Sequence, residues 1–167
     1  MSKYISWCWK DSTDMENILN VIVAASNYPV VYPIMESYRK HDLVTSVMLA
    51  NLAFASTVSH LVESHKHGMI GFGISKSVSE LWNLYDRISS YIAVARLLYL
   101  VFSKYSVTAI LTGHKLLLLR LCLSLCLGII SEYDKYNKSL RPIYIIAHTL
   151  WHITIYMVIF DIYRITM

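Results

Sequence analysis

Charged side chains are scarce in this sequence of 167 residues, since Asp, Glu, Lys and Arg together make up 16% of the chain. Soluble domains carry about 25%, so this composition argues against a soluble globular domain. The 15 basic and 11 acidic residues leave a formal charge of only +4, and the basic residues are scattered between apolar blocks. Because no basic stripe is present, the sequence also argues against a nucleic-acid partner.

Cysteine is scarce as well. The chain contains 3 cysteines, Cys8, Cys122 and Cys126, which is too few for the disulfide framework of a small secreted domain. Cys122 and Cys126 stand at helical spacing inside an apolar run. We expect both to be buried as small hydrophobic side chains.

Apolar residues are abundant, at 56% of the chain, and they occur in long blocks rather than in amphipathic stripes. This pattern predicts transmembrane helices. We therefore predict an all-α, multi-pass integral membrane helical bundle with about five spans. The expected spans are residues 18–35, 43–64, 86–103, one within 106–131, and 142–163. Residues 1–17 are expected to form a polar interfacial segment, and residues 18–164 a single transmembrane domain.

Two of these spans contain interruptions. Pro29 and Pro33 predict a kink in the first span. In the fourth region, residues 106–112 are apolar but too short to cross a membrane, and Gly113-His114-Lys115 interrupts the run. Residues 106–131 therefore form either one tilted span or a re-entrant stub followed by a span. Arg120 within this region is expected to extend its guanidinium to the membrane surface.

The histidines form the most informative pattern. His148 and His152 are four residues apart, which places both side chains on one face of a helix, one turn apart. Ser56 and His60 have the same spacing in the second span, and Asp86 is expected to open the third. With about five spans, all five residues fall at a similar depth near one face of the membrane. Polar side chains in hydrocarbon are costly, so such a group predicts a functional site.

Three histidines fit the ligand set of a catalytic zinc ion, which keeps its fourth position open for water. Zinc lowers the pKa of its bound water towards about 7, which supplies hydroxide at neutral pH. A nearby carboxylate such as Asp86 could then accept the proton of the water, and a hydroxyl such as that of Ser56 could stabilise an oxyanion.

The combination of SxxxH, an Asp at the start of the next span and HxxxH on the last span resembles the CREST superfamily of membrane hydrolases. This superfamily includes alkaline ceramidases, progestin and adiponectin receptors, GPI-processing phospholipases and myomaker. The resemblance implies that His60, His148 and His152 bind zinc, and that Ser56 and Asp86 contact the metal-bound water. The family has seven spans, so about five would make this chain a reduced version of that fold, without helices that otherwise wall the lipid cavity.

By resemblance, the expected function is a zinc-dependent hydrolase that cleaves an amide bond of a ceramide-like lipid, or an ester bond, at the membrane surface. The expected partners are a membrane lipid substrate and the bilayer, and a homodimer could enclose the cavity of so short a chain. A small excess of basic residues favours a cytoplasmic position for the amino terminus and the site. The alternative function is a non-catalytic membrane protein whose helices are joined by zinc, in a remodelling, fusion or receptor-like role.

Simpler interpretations remain open for each residue. A single His can form a hydrogen bond between helices, which would suit a bundle without metal. Asp86 can cap a helix amino terminus, and Ser56 can bond a carbonyl of its own helix. Haem could bind between His60 and one histidine of the last span, although Asp86 would then have no role. A rival metal site could form from Glu63, His65 and His67.

Overall fold

The structure, a computed structural model, describes residues 14–62, 75–134 and 141–167, and every regular element in these ranges is a helix. The α-helices are α1 (Asp14–Ala25), α2 (Val31–Arg39), α3 (Leu43–Leu61), α4 (Lys76–Phe102), α5 (Val107–Gly113), α6 (Lys115–Asp134) and α7 (Arg141–Thr166). The predicted all-α fold is thus confirmed. Most of the predicted interfacial segment, and with it Cys8, lies outside the described residues, as do Glu63, His65 and His67.

The first apolar run is broken rather than kinked. Helix α1 ends at Ala25, a turn follows at Ser26 and Asn27, and a short 3-10 helix, Tyr28–Val30, precedes α2. Pro29 lies in the 3-10 helix, and Pro33 lies in the first turn of α2, where a missing backbone N–H leaves no hydrogen bond unmade. The expected single helix over residues 18–35 is therefore wrong, because α1 ends at Ala25, before the first proline.

Helix α3 begins where the second span was predicted and ends at Leu61. Its first turn is capped by Asp42, whose carboxylate accepts from the backbone N–H of Thr45 at 3.0 Å and from the Thr45 hydroxyl at 2.5 Å. Arg96 of α4 donates to the same carboxylate at 3.0 Å. Burial by itself would raise the pKa of Asp42, but the hydrogen bonds from Thr45 and Arg96 outweigh it and lower the pKa. These bonds join α3 to α4.

Helix α4 begins at Lys76, ten residues earlier than the expected start at Asp86. The hydroxyl of Ser75 caps it by accepting from the backbone N–H of Val78 at 3.4 Å. Asp86 therefore lies about three turns inside the helix, and the interpretation of Asp86 as a helix cap is wrong. The serines and glycines before residue 76 resemble a loop in sequence, which hides the start of the helix.

Residues 106–131 do not form one helix, so the first of the two alternatives, a single tilted span, is wrong. Helix α5 is a separate short helix, bent by 88° from α4, and α6 begins just after it. Helix α6 packs against α7. There, Arg120 forms an ion pair with Asp161 of α7 rather than reaching the surface alone. Cys122 and Cys126 lie on the exposed side of α6, so their expected burial is wrong.

Helix α7 lies at the centre of the described bundle, in contact with α1, α2, α4 and α6. Its residues Tyr156 and Ile159 share a buried apolar cluster with Leu49 of α3 and Leu97 of α4. Two helices, α3 and α7, are long and apolar enough to cross a membrane, and α4 together with α5 would be a third if the bent pair forms one span.

Candidate metal centre

Three histidines from two helices converge in the described part of the bundle. His60 lies in the last turn of α3, and His148 and His152 lie on α7. One ring nitrogen from each residue lies within 4.8 Å of one ring nitrogen from each of the others. The side chains are almost fully buried, with 5%, 4% and 3% of their surfaces exposed. The three residues that the sequence selected are therefore neighbours in space.

The distances within this group suit a metal. The Nε2 atoms of His60 and His148 lie 3.2 Å apart, and the ring centroids of the three histidines are 4.6–5.1 Å apart. Two imidazole nitrogens bound to one tetrahedral zinc at 2.0–2.1 Å would lie about 3.3 Å apart. The group could thus hold a metal ion, and three neutral imidazoles without a thiolate form a donor set that zinc accepts.

A serine of the broken amino-terminal region orients one of these rings. The Ser26 hydroxyl lies 2.7 Å from Nδ1 of His152 and 2.6 Å from the carbonyl oxygen of Val23. If the hydroxyl donates to Val23, its oxygen accepts from the Nδ1–H of His152. This leaves Nε2 of His152 without a proton, as a metal ligand requires. Such an outer hydrogen bond to a ligating histidine is a common feature of metal sites.

Aromatic rings surround the histidines. Tyr144 is buried and its ring centroid lies 5.3 Å from that of His148, while Trp151 lies 5.0 Å from His148. Tyr156, one turn after His152, is buried and donates a hydrogen bond of 2.7 Å to the side-chain oxygen of Asn27. These rings make the surroundings of the histidines largely apolar, and electrostatic interactions are stronger in such surroundings than in water.

The remaining two predicted residues lie on the helices that meet here. Ser56 is buried on α3, one turn before His60 and on the same face. Asp86 is half-buried on α4 and lies near Tyr156 of α7. The structure therefore brings the three histidines together, places Ser56 one turn away along α3, and places Asp86 near a tyrosine that follows His152 by one turn.

Sequence reasoning missed Ser26, Asn27 and Tyr156. A signal for the first two is present, since Ser26-Asn27 is a polar pair inside an apolar run and precedes Pro29 by two residues. Such a pair marks a helix end rather than the interior of a span. The signal for Tyr156 is its spacing, since it follows His152 by four residues and therefore shares the helix face of the two histidines.

Three cavities lie between described residues elsewhere in the bundle, and none of the three histidines lines any of them.

Comparison with known proteins gives one informative relative. No family model matches the chain, and no solved structure matches it. The sequence is 41% identical over 138 residues to "Uncharacterized protein L282" of Acanthamoeba polyphaga mimivirus, an alignment that covers 82% of this chain and 91% of the viral protein. Similarity of this extent shows common descent, and the chain therefore belongs to the same family as this mimivirus protein.

Proposed function

We propose that the protein is a zinc-dependent membrane hydrolase that cleaves an amide bond of a ceramide-like lipid, or an ester bond of a related lipid. The observation that carries the proposal is the convergence of three buried imidazoles from two helices, with ligand atoms within 4.8 Å of one another. The resemblance of the SxxxH, Asp and HxxxH pattern to the CREST superfamily supports the same function.

The proposed setting is a bilayer crossed about five times. Besides α3, α7 and the bent pair, the broken α1–α2 region and α6 would provide the remaining spans. The exposed side of α6 supports this assignment, because it is covered by large apolar side chains that suit hydrocarbon better than water. These are Leu116, Leu119, Leu123, Leu125, Ile129 and Ile130. The site and the amino terminus would face the cytoplasm.

Zinc is the metal that we assign to the three histidines, because their donor set matches that of catalytic zinc. A zinc ion held in this way supplies a water molecule of lowered pKa and polarises the carbonyl of the substrate. Haem is a weaker candidate because the three rings lie too close together to leave space for a porphyrin between two of them.

Two side chains of the chain would complete the reaction. Asp86 would accept the proton of the attacking water and pass it to the leaving amine or alkoxide, which suits a half-buried carboxylate at the edge of the site. The Ser56 hydroxyl would donate a hydrogen bond to the oxyanion that develops on the carbonyl. The ring nitrogen of His152 would be held in its ligating form by Ser26.

A second candidate function is a non-catalytic membrane protein in which zinc joins α3 to α7. One observation favours it, which is the near-complete burial of the three histidines away from the cavities described above. Such a site would stabilise the bundle by linking its folding to metal binding, in a remodelling, fusion or receptor-like protein.

The experiment that separates the two candidates uses zinc-loaded protein in mixed micelles with a short-chain ceramide or a lysophospholipid. A hydrolase would release fatty acid, and Asp86→Asn would lower the rate by 100-fold or more (on the order of general-base removal) while zinc stays bound. If zinc-loaded, folded wild-type protein releases no fatty acid from either lipid, the hydrolase proposal is wrong and the structural role of zinc is favoured. Asp161→Asn provides a carboxylate control, because Asp161 lies towards the other end of α7.

A further inference from the structure

A cavity with basic walls lies at the far end of the bundle from the histidines. It has a volume of about 330 Å³ and lies between the α5–α6 junction and the carboxyl-terminal turns of α7. The helical rise places Arg164 about 24 Å beyond His148 along α7. A hydrogen bond of 2.7 Å from the Tyr105 hydroxyl to the carbonyl of Ile165 ties the α4–α5 turn to this end of α7.

Positive charge dominates the cavity walls. Three cationic side chains line it, namely Lys115, Arg120 and Arg164, together with His114 and a single carboxylate, that of Asp161. Asp161 is bound by Arg120, so their charges compensate each other. Among the residues that the structure describes, no acidic side chain pairs with Lys115 or Arg164. The charges of these two cations are therefore not compensated by a described carboxylate, and the Arg164 guanidinium lies over the Phe160 ring, 5.6 Å from its centroid.

The backbone adds further donors to the same cavity. Lys115, Leu116 and Leu117 form the first turn of α6 and all three line the cavity. The first backbone N–H groups of a helix have no acceptor within the helix. The Leu118 N–H donates to the His114 carbonyl at 3.1 Å. The helical hydrogen bonds of α6 therefore begin after its first three residues. Amides and cations thus meet in one concave site, as in known anion sites at helix amino termini.

From this arrangement we propose that the cavity binds a phosphate group, carried by an anionic lipid headgroup or free in solution. Arg164 and Lys115 would pair with the phosphate oxygens, and the amides of α6 would hydrogen-bond to them. The Arg120–Asp161 pair would form the floor of the site. This site is independent of the three histidines, and it would hold an anion whether or not the protein is a hydrolase.

The experiment measures retention of lipid by the detergent-purified full chain with native mass spectrometry. The probes are short-chain phosphatidic acid, phosphatidylcholine of the same chain length, and inorganic phosphate. We expect phosphatidic acid to be retained about tenfold better than phosphatidylcholine, and K115Q/R164Q to abolish most of this preference. A matched control, R39Q/K104Q, removes one Arg and one Lys, both exposed and outside the cavity, and should retain phosphatidic acid as the wild type does.

Each outcome decides the proposal. Retention of phosphatidic acid that inorganic phosphate does not displace assigns the site to a lipid headgroup, whereas binding of inorganic phosphate with the same dependence on Lys115 and Arg164 assigns it to free phosphate. The proposal would be overturned if the protein bound neither phosphatidic acid nor inorganic phosphate. Equal losses of phosphatidic acid in K115Q/R164Q and R39Q/K104Q would also overturn it. If K115Q/R164Q does not fold, the single variants K115Q and R164Q serve in its place, and each should retain less phosphatidic acid than the wild type does.

Discussion

Ser26 and His152 are 126 positions apart in the sequence, and the Ser26 hydroxyl lies 2.7 Å from Nδ1 of His152. The same hydroxyl lies 2.6 Å from the carbonyl oxygen of Val23 at the end of α1. Ser26 directly follows α1, and its hydroxyl links the end of that helix to one ring of the histidine group. The bond to Val23 is of the kind that a serine forms with a carbonyl one turn earlier in the chain.

Replacement of Ser26 tests this relationship. Because Ser26→Ala removes the acceptor for Nδ1–H of His152, the ring loses its orientation, and we expect zinc affinity to fall about 10- to 100-fold. Competition with a chelator of known affinity measures the change. Ser37→Ala is the matched control, since Ser37 is a buried serine that bonds to Ser46 and to the Ile34 carbonyl, away from the histidines. Equal affinities for the two variants would contradict the assignment.

Removal of the histidines tests the metal itself. Elemental analysis of wild-type protein should give about one zinc per chain, and both His60→Ala and His148→Ala should lose it, because a site needs at least three protein ligands to retain zinc. His114→Ala removes a histidine outside the group and should keep the zinc. Absence of metal from folded wild-type protein that was never exposed to chelator would rule out the hydrolase and the zinc-joined bundle together, and would leave a bundle without metal.

The contact between α6 and α7 gives a stability prediction. A Cβ atom at Gly128 would lie 3.0 Å from Nε1 of Trp151, whereas a Cβ atom at Gly113 would have no neighbour within 4 Å. Gly128 lies in the interior of α6, whereas Gly113 is the last residue of α5 and gains less helix propensity on substitution by Ala. A lower stability of the Gly128 variant would therefore reflect the contact with Trp151 and not the propensity. We expect Gly128→Ala to have a free energy of unfolding about 1–3 kcal/mol lower than Gly113→Ala. Denaturation of the two variants in the same detergent measures this, and equal stabilities would show that Trp151 moves freely.

The Asp42 carboxylate gives a prediction about pH. Burial raises its pKa, but the bonds from Thr45 and Arg96 outweigh burial, and the pKa is lower in the folded protein than in the unfolded chain. The ionised carboxylate therefore stabilises the fold above the unfolded pKa of about 3.9, and this contribution is lost as pH falls through the lower folded value. We expect Asp42→Asn, which keeps the capping oxygen, to lower the free energy of unfolding at pH 7 by about 1–2 kcal/mol.

The control for this prediction is the pH dependence of the effect, measured as the difference in the free energy of unfolding between Asp42→Asn and the wild type. That difference should shrink towards zero once the pH falls below the folded pKa of Asp42, because the wild-type carboxyl is then neutral as well. A surface carboxylate variant, Glu80→Gln, controls for the loss of one negative charge, and at pH 7 it should change the free energy of unfolding by less than about 1 kcal/mol, since Glu80 is exposed and lies 3.7 Å from exposed Lys76. A constant difference at all pH values would mean that Asp42 acts only as a hydrogen-bond acceptor.

Much of the histidine group could be predicted from the sequence because it depends on local periodicity. His148 and His152 share a face of any helix that contains them, and the long apolar runs around them and around His60 predict the two helices, α3 and α7, that meet at the group. The expectation that the site residues lie at a similar depth in the membrane follows once the direction of each helix is assigned. These arguments need only the spacing of residues along the chain, which is why they identified three residues that the structure brings together.

The features that sequence reasoning missed depend on contacts between distant residues. Arg120 was expected to reach the surface, but its partner Asp161 is 41 positions away, and no local pattern reports such a pair. The start of α4 at Lys76 was hidden because Ser75 and its neighbours are common in both loops and helix caps. The exposure of Cys122 depends on which face of α6 meets α7, and a helix that is apolar all round does not reveal that face.

The position of α7 in the chain also determines when, during synthesis, the histidine group can form. His60 and His148 are 88 positions apart, and α7 follows every helix that it contacts. At a synthesis rate of about 5–20 residues per second, roughly 4–18 s pass between the translation of His60 and that of His148. During that interval α3 and α4 can pair through Asp42 and Arg96, but His60 has no partner on α7. The nascent chain therefore passes through a stage in which α3 and α4 are present and the histidine group is incomplete.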